Sequence, residues 1–119
     1  SQYVPMVSTI RSLADERGIP TPTFGHAGDG NVHYGILVDG DDPAAVERAK
    51  ALSEAIVTAA IDRGGTCTGE HGVGSHKRRF MRREFDDATL ELMRTVKDAL
   101  DPNGILNPRK IVPERETDD

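Results

Sequence analysis

His26-Ala27-Gly28-Asp29-Gly30-Asn31-Val32-His33 places an Asp-Gly pair between two strand-like segments, with a histidine at either end. Asp-Gly in that setting is the strongest short-range hairpin signal, because a two-residue type I′ turn needs positive φ at both central positions. With Asp29 and Gly30 at those positions, Gly28 faces Asn31, Ala27 faces Val32 and His26 faces His33. Opposed residues share a face of the sheet, with Cβ atoms roughly 4.5–5.5 Å apart, so the two imidazoles can converge on one ion. A candidate third ligand follows in Thr68-Gly69-Glu70-His71-Gly72-Val73-Gly74. Two histidines and a carboxylate form an open site suited to divalent zinc, manganese or iron.

Working outward, residues Pro5 to Arg17 carry Val7, Ile10, Leu13 and Ala14 at helical spacing, with Gly18 at the end. Ile19-Pro20-Thr21-Pro22 is an extended link. Thr23 to Ala27 is the first arm of the hairpin. Asn31 to Val38 is the second, with Val32, Tyr34, Ile36 and Val38 alternating on one face. Asp42 and Pro43 open a helix running to Arg63, whose apolar stripe is Ala45, Ala49, Leu52, Ile56 and Ala59 or Ala60. Thr66 to Thr68 reads as a short strand, with Cys67 buried in it. A basic helix is expected from Ser75 to about Arg83, and a last helix from Asp87 to Leu100 with Leu90, Met93, Val96 and Leu100 on one side. The fold class is α+β: a partial ferredoxin-like plait, an antiparallel sheet with helices on one face, followed by two C-terminal helices. The plait lacks its first strand, which suggests that part of the domain lies upstream.

The 119 residues suit one small domain, and residues 1–112 are read as that domain. With no Trp, three Phe and two Tyr, its core must be mostly aliphatic. The tail, 113–119, is charged, lacks an apolar anchor and is expected to be disordered. A net charge of −5 argues against a nucleic-acid or membrane-surface role, and no apolar run approaches the ~18 residues of a membrane span. The single cysteine excludes an internal disulfide and points to a cytoplasmic protein. The chain opens without Met and has no phosphate-binding glycine loop, so it reads as a fragment whose nucleotide cofactor, if one is needed, is held elsewhere.

Around the histidines, each chemical role has a structural competitor. Asn31 is a candidate substrate donor or an ordinary turn residue. Glu70 and His71 sit in a loop whose glycines let backbone approach a ligand closely. Glu70 can serve as a ligand and His71 as a general base, an imidazole's ordinary pKa near ~6.5 suiting neutral pH; the competing reading is a charged surface loop. Lys77 heads the basic run Lys77, Arg78, Arg79, Arg82 and Arg83 and is the candidate to hold an anionic substrate, against a merely solvated helix face. His76 is assigned nothing. Such a metal site also fits a hydrolase that activates water, and a structural cap with an inert site is a third reading.

Three ordered motifs then narrow the choice. His26 to His33, the run Gly65-Thr-Cys-Thr-Gly-Glu70-His71-Gly-Val-Gly with Lys77, and Leu100-Asp-Pro-Asn-Gly-Ile-Leu-Asn107-Pro-Arg-Lys110 resemble the C-terminal part of FAD-linked oxidases. These flavoproteins include the glycolate oxidase D subunit, D-lactate dehydrogenase and D-2-hydroxyglutarate dehydrogenase. The resemblance implies that His26, His33 and Glu70 ligate a divalent metal, and that His71 removes the substrate hydroxyl proton. It implies that Asn107 lies on a stretch returning towards the flavin, and that FAD is bound mainly by an N-terminal domain absent here. The implied substrate is a small D-2-hydroxy acid oxidised to the 2-oxo acid. The implied location is cytoplasmic, or peripheral at the inner membrane in the full-length protein. Neither the electron acceptor nor the metal is specified. Two departures stand out. Arg109 replaces the glycine of the common Asn-Pro-Gly-Lys ending. Gly35 stands where some members carry an asparagine, so a substrate contact made there is lost and hydroxyglutarate specificity is not inherited.

Overall fold

Helix α1 spans Tyr3–Asp15 and buries Met6, Ile10 and Ala14 in a computed structural model that describes residues 2–114. Those three positions are four apart, so one stripe of the helix supplies the whole contact. Relative to the expected Pro5–Arg17 helix, α1 begins two residues earlier and ends two residues earlier. The chain then runs through the two prolines into β1, Thr23–His26, which pairs antiparallel with β2, Asn31–Tyr34. The second arm stops being a regular strand at Tyr34, short of Val38. Its direction is nonetheless kept by Gly35 N donating to Pro22 O and Leu37 N donating to Pro20 O, each at 3.0 Å.

Helix α2 covers Pro43–Ile61. Asp42 caps it, accepting from Ala44 N at 2.9 Å, and Pro43 occupies the first turn, where its missing N–H costs nothing. Leu52 and Ile56 of α2 meet Met6, Ile10 and Ala14 of α1 together with Ile19. Val32, Tyr34, Ile36 and Val38 pack on the same cluster, as their alternation requires. The hairpin therefore has one face on the aliphatic core and one face away from it. The face away from the core carries Phe24, His26, Asn31 and His33.

The chain divides into two compact units between Glu70 and His71. The first holds α1, β1, β2 and α2. Thr66–Thr68, read as a strand from sequence, is irregular: among the described residues the sheet has two strands. The threonines themselves explain this. Thr66 Oγ1 accepts from Thr68 N at 3.3 Å and lies 3.1 Å from Thr68 Oγ1, a local bonding pattern that competes with a ladder. Cys67 is buried, as expected.

The second unit begins with irregular chain. The expected helix from Ser75 to Arg83 is broken into a 3₁₀ turn, Arg78–Phe80, and a single α turn, α3, Met81–Glu84. Phe80 and Met81 are its buried side chains, too little apolar surface to hold a longer helix. Helix α4, Asp87–Leu100, has the expected bounds and is capped by Asp86, which accepts from Thr89 N at 2.8 Å. Of its expected apolar side, Leu90 is fully buried, while Val96 and Leu100 are exposed. The expected disordered tail, 113–119, falls outside the described residues from 115 onward. Pro113 and Glu114 are described, and their carbonyls accept from Arg94 and Arg82. Among the described residues no helix is long and apolar enough to cross a membrane.

Candidate metal centre

The hairpin loop sets the site, and it is not the two-residue turn expected from Asp29-Gly30. His26 pairs with Asn31 and Phe24 with His33, leaving four residues, Ala27 to Gly30, in the loop. A type I′ turn would need positive φ at both Asp29 and Gly30, and of the two only Gly30 has it, at 73°. The chain turns first over His26–Asp29, with Asp29 N donating to His26 O at 3.0 Å, and Gly30 then feeds β2. His26 and His33 are thus diagonal neighbours rather than direct partners. The register differs from the expected one by two residues, so the side-chain period of two is preserved and both imidazoles stay on one face. A one-residue difference would have separated them.

The two rings lie 5.3 Å apart, perpendicular to each other. Glu70 comes from the end of the first unit, 37 residues after His33 in the chain. Its Oε1 is 3.4 Å from His33 Nε2 and its Oε2 is 3.8 Å from His26 Nε2. One ligand atom from each of the three residues lies within 4.8 Å of the other two. Ligand atoms ~2.1 Å from a tetrahedral ion stand roughly 3.4 Å from one another, so this donor set fits a divalent cation after small side-chain adjustment. Stability alone gives little reason for the cluster. The Glu70 side chain is 49% exposed and that of His26 58%, and exposed ion pairs contribute only ~0–1 kcal/mol.

Asn31 points into the same cluster, donating from Nδ2 to Glu70 Oε2 at 3.0 Å. Two residues that sequence reasoning did not place at the site are also here. Phe24 stacks on His33 with ring centroids 5.4 Å apart and planes 21° from parallel. Strand parity could have found it, since residue 24 has the parity of residue 26. Gly69 is the other: a Cβ there would lie 2.8 Å from Asn31 Oδ1, and its φ is +53°. That contact spans distant parts of the sequence, and no local signal carries it.

The remaining candidates belong to the second unit. His71 is exposed. Lys77 is half-buried, and its backbone N–H donates to Val73 O at 3.2 Å. Asn107 opens a strained run in which Asn107, Arg109 and Ile111 all have positive φ, at 46°, 57° and 66°. Ile111 N donates to Gly74 O at 2.9 Å, tying this run to the glycine-rich segment. Two of the basic side chains are engaged within the second unit. Arg78 donates to Arg109 O at 3.0 Å, and Arg79 lies over the Phe80 ring.

Comparison with known proteins shows the family. Residues 1–111 match the family described as FAD linked oxidases, C-terminal domain. The chain belongs to this family. As an FAD-linked oxidase C-terminal domain, it is 35% identical over 113 residues to the mitochondrial D-lactate dehydrogenase [cytochrome] of Arabidopsis thaliana, covering 95% of this chain and 20% of the relative. It is 39% identical over 111 residues to the glycolate oxidase subunit GlcD of Bacillus subtilis, covering 93% and 24% respectively. With the D-lactate dehydrogenase of Archaeoglobus fulgidus it shares 44% over 101 residues, 84% of this chain and 22% of the relative. The domain thus spans a fifth to a quarter of the length of these relatives. Some relatives are named mitochondrial, so the expectation of a cytoplasmic protein rests on the lone cysteine.

Proposed function

We propose that this domain carries the metal-and-substrate half of a flavin-dependent dehydrogenase that oxidises a small D-2-hydroxy acid, of the lactate or glycolate kind, to the 2-oxo acid. The observation that carries this reading is the convergence of His26, His33 and Glu70 on one face of the hairpin. The same triad would suit a water-activating hydrolase; membership of an FAD-linked oxidase family favours the redox reading instead. His26, His33 and Glu70 would hold the metal. FAD would be held mainly by an N-terminal domain of the same protein, because this chain has no phosphate-binding loop.

When bound, such a metal supplies a Lewis acid for the carboxylate and hydroxyl oxygens of the substrate, and the flavin supplies the hydride acceptor. The chain's own residues do the rest. His71 takes the hydroxyl proton while the C2 hydrogen leaves with its electron pair, giving the C=O bond. Lys77 offers a cation to the substrate carboxylate. Asn31, with one N–H given to Glu70, keeps a second for the substrate. Asn107 belongs to the stretch that approaches the flavin.

Two variants of the full-length protein test the division of labour. His33→Asn removes a ligand and is expected to lose bound metal and turnover together. His71→Asn is expected to keep metal and flavin while turnover falls by ~10²–10⁴-fold. Elemental analysis beside a steady-state assay reads both. Equal metal loss in the two variants would make His71 a ligand and overturn its role as base. Full turnover in His33→Asn would overturn the metal reading.

A further inference from the structure

We propose that Asn31 is a positioning residue that fixes the Glu70 carboxylate against the two imidazoles, and that Gly69 is the residue which leaves room for it to do so. The proposal rests on the metal reading of His26, His33 and Glu70.

Glu70 lies in irregular chain, outside any helix or strand that would fix its side chain. It is half exposed, and an unrestrained glutamate there would sample many rotamers. Asn31 is different. It is the first residue of β2, opposite His26 in the ladder, so its side chain leaves the sheet on the histidine face at a fixed point. From there Nδ2 donates to Glu70 Oε2 at 3.0 Å. Oε1, the oxygen that Asn31 does not engage, is the one nearer His33, at 3.4 Å. Asn31 therefore assigns different work to the two carboxylate oxygens: Oε2 is tied to the hairpin, and Oε1 is turned towards His33. A hydrogen bond to one carboxylate oxygen that orients the other is a recurrent device around metal ligands.

The other end of the same amide explains Gly69. Asn31 Oδ1 lies 2.8 Å from where a Cβ of residue 69 would stand, too close for the two to coexist unshifted. Any side chain at 69 must push the amide aside or shift the segment that carries Glu70. The φ of +53° there is a second reason for glycine. One amide thus reads both neighbours, Gly69 by contact and Glu70 by hydrogen bond.

Cobalt(II) titration of the full chain, followed by the visible d–d absorption of the bound ion, tests this with wild type, Asn31→Ala, Gly69→Ala and the double variant. Circular dichroism verifies that each is folded. Asn31→Ala is expected to raise the cobalt dissociation constant by ~10–100-fold and to alter the absorption envelope. Gly69→Ala attacks the same contact from its other side and is expected to weaken binding as well. In the Asn31→Ala background the added cost of Gly69→Ala should shrink, because the atom it collides with is gone. Wild-type affinity in Asn31→Ala would overturn the positioning role while leaving the metal reading intact. Fully additive costs would overturn the link between Asn31 and Gly69. A wild-type chain with no affinity for cobalt would overturn the metal reading, and the positioning role with it.

Discussion

At the scale of single residues, Arg109 stands where the resemblance to FAD-linked oxidases leads one to expect glycine. It sits at φ 57°, between Asn107 at 46° and Ile111 at 66°. An L-residue in that region costs roughly 1–2 kcal/mol, which a glycine avoids. A glycine here would have a backbone reason, and Arg109 adopts the conformation without the residue that suits it. Arg78 donates to the carbonyl of Arg109, not to its side chain, so Arg109→Gly preserves that bond. Arg109→Gly is expected to stabilise the chain by about 1 kcal/mol in a urea titration, less the entropy that glycine adds to the unfolded state. Destabilisation would show that the arginine side chain supplies more than the strain removes. The histidines were legible at this scale because strand parity needs only a count. His26 and His33 share a face under either the expected or the observed register, so the inference survived an incorrect turn. Their exact pairing was not legible. Asp-Gly is compatible with a two-residue turn and with a longer loop in which Gly30 alone takes positive φ, and local sequence does not choose between them.

Among the elements, α4 shows how a helix end is fixed by one buried carboxylate. Asp101, 8% exposed, pairs with Lys97 and accepts from Ile105 N at 3.0 Å and Leu106 N at 2.9 Å. Lys97 also donates to Leu106 O at 2.6 Å, closing the turn from both sides. The Lys97 hydrogen bond is the main reason that the Asp101 carboxyl titrates below its ordinary value; burial opposes it as the next largest effect, and the two backbone donors help to lower it. A carboxylate lowered in the folded state contributes stability above its unfolded pKa, near ~3.9, and loses it as pH falls through the folded value. Melting temperatures of wild type and Asp101→Asn should therefore differ at pH 6 and converge as pH drops below about 4. A gap that persists unchanged to pH 2 would mean that the ionised form is not what holds the turn. The start of α2 was legible because its cap is local, Asp42 accepting from the N–H its position predicts, whereas the bounds of α4 were legible from its apolar spacing. Thr66–Thr68 and the basic run from Ser75 were misread because neither has a periodic apolar face long enough to outweigh local hydroxyl bonding or fraying.

For the molecule as a whole, the α+β architecture followed from sequence periodicity, whereas the joining of Glu70 to the hairpin did not. A contact across 37 residues needs the folded chain; residue type made Glu70 a candidate third ligand, and the family resemblance added to that. The proposed ligand Glu70 and the proposed base His71 are neighbours in the chain but end one compact unit and begin the next. The chain covers a fifth to a quarter of its relatives' length, so the proposed turnover is tested on a full-length protein and the proposed metal binding on this chain. X-ray absorption at the zinc edge of the zinc-loaded chain is the most direct measurement. The expected spectrum shows imidazole scattering from two histidines and a carboxylate oxygen, with nitrogen and oxygen at ~2.0–2.2 Å, and His33→Asn is expected to lose the bound zinc and this spectrum with it. A sulfur shell at ~2.3 Å from Cys67, or a spectrum without imidazole scattering, would contradict a centre built from His26, His33 and Glu70.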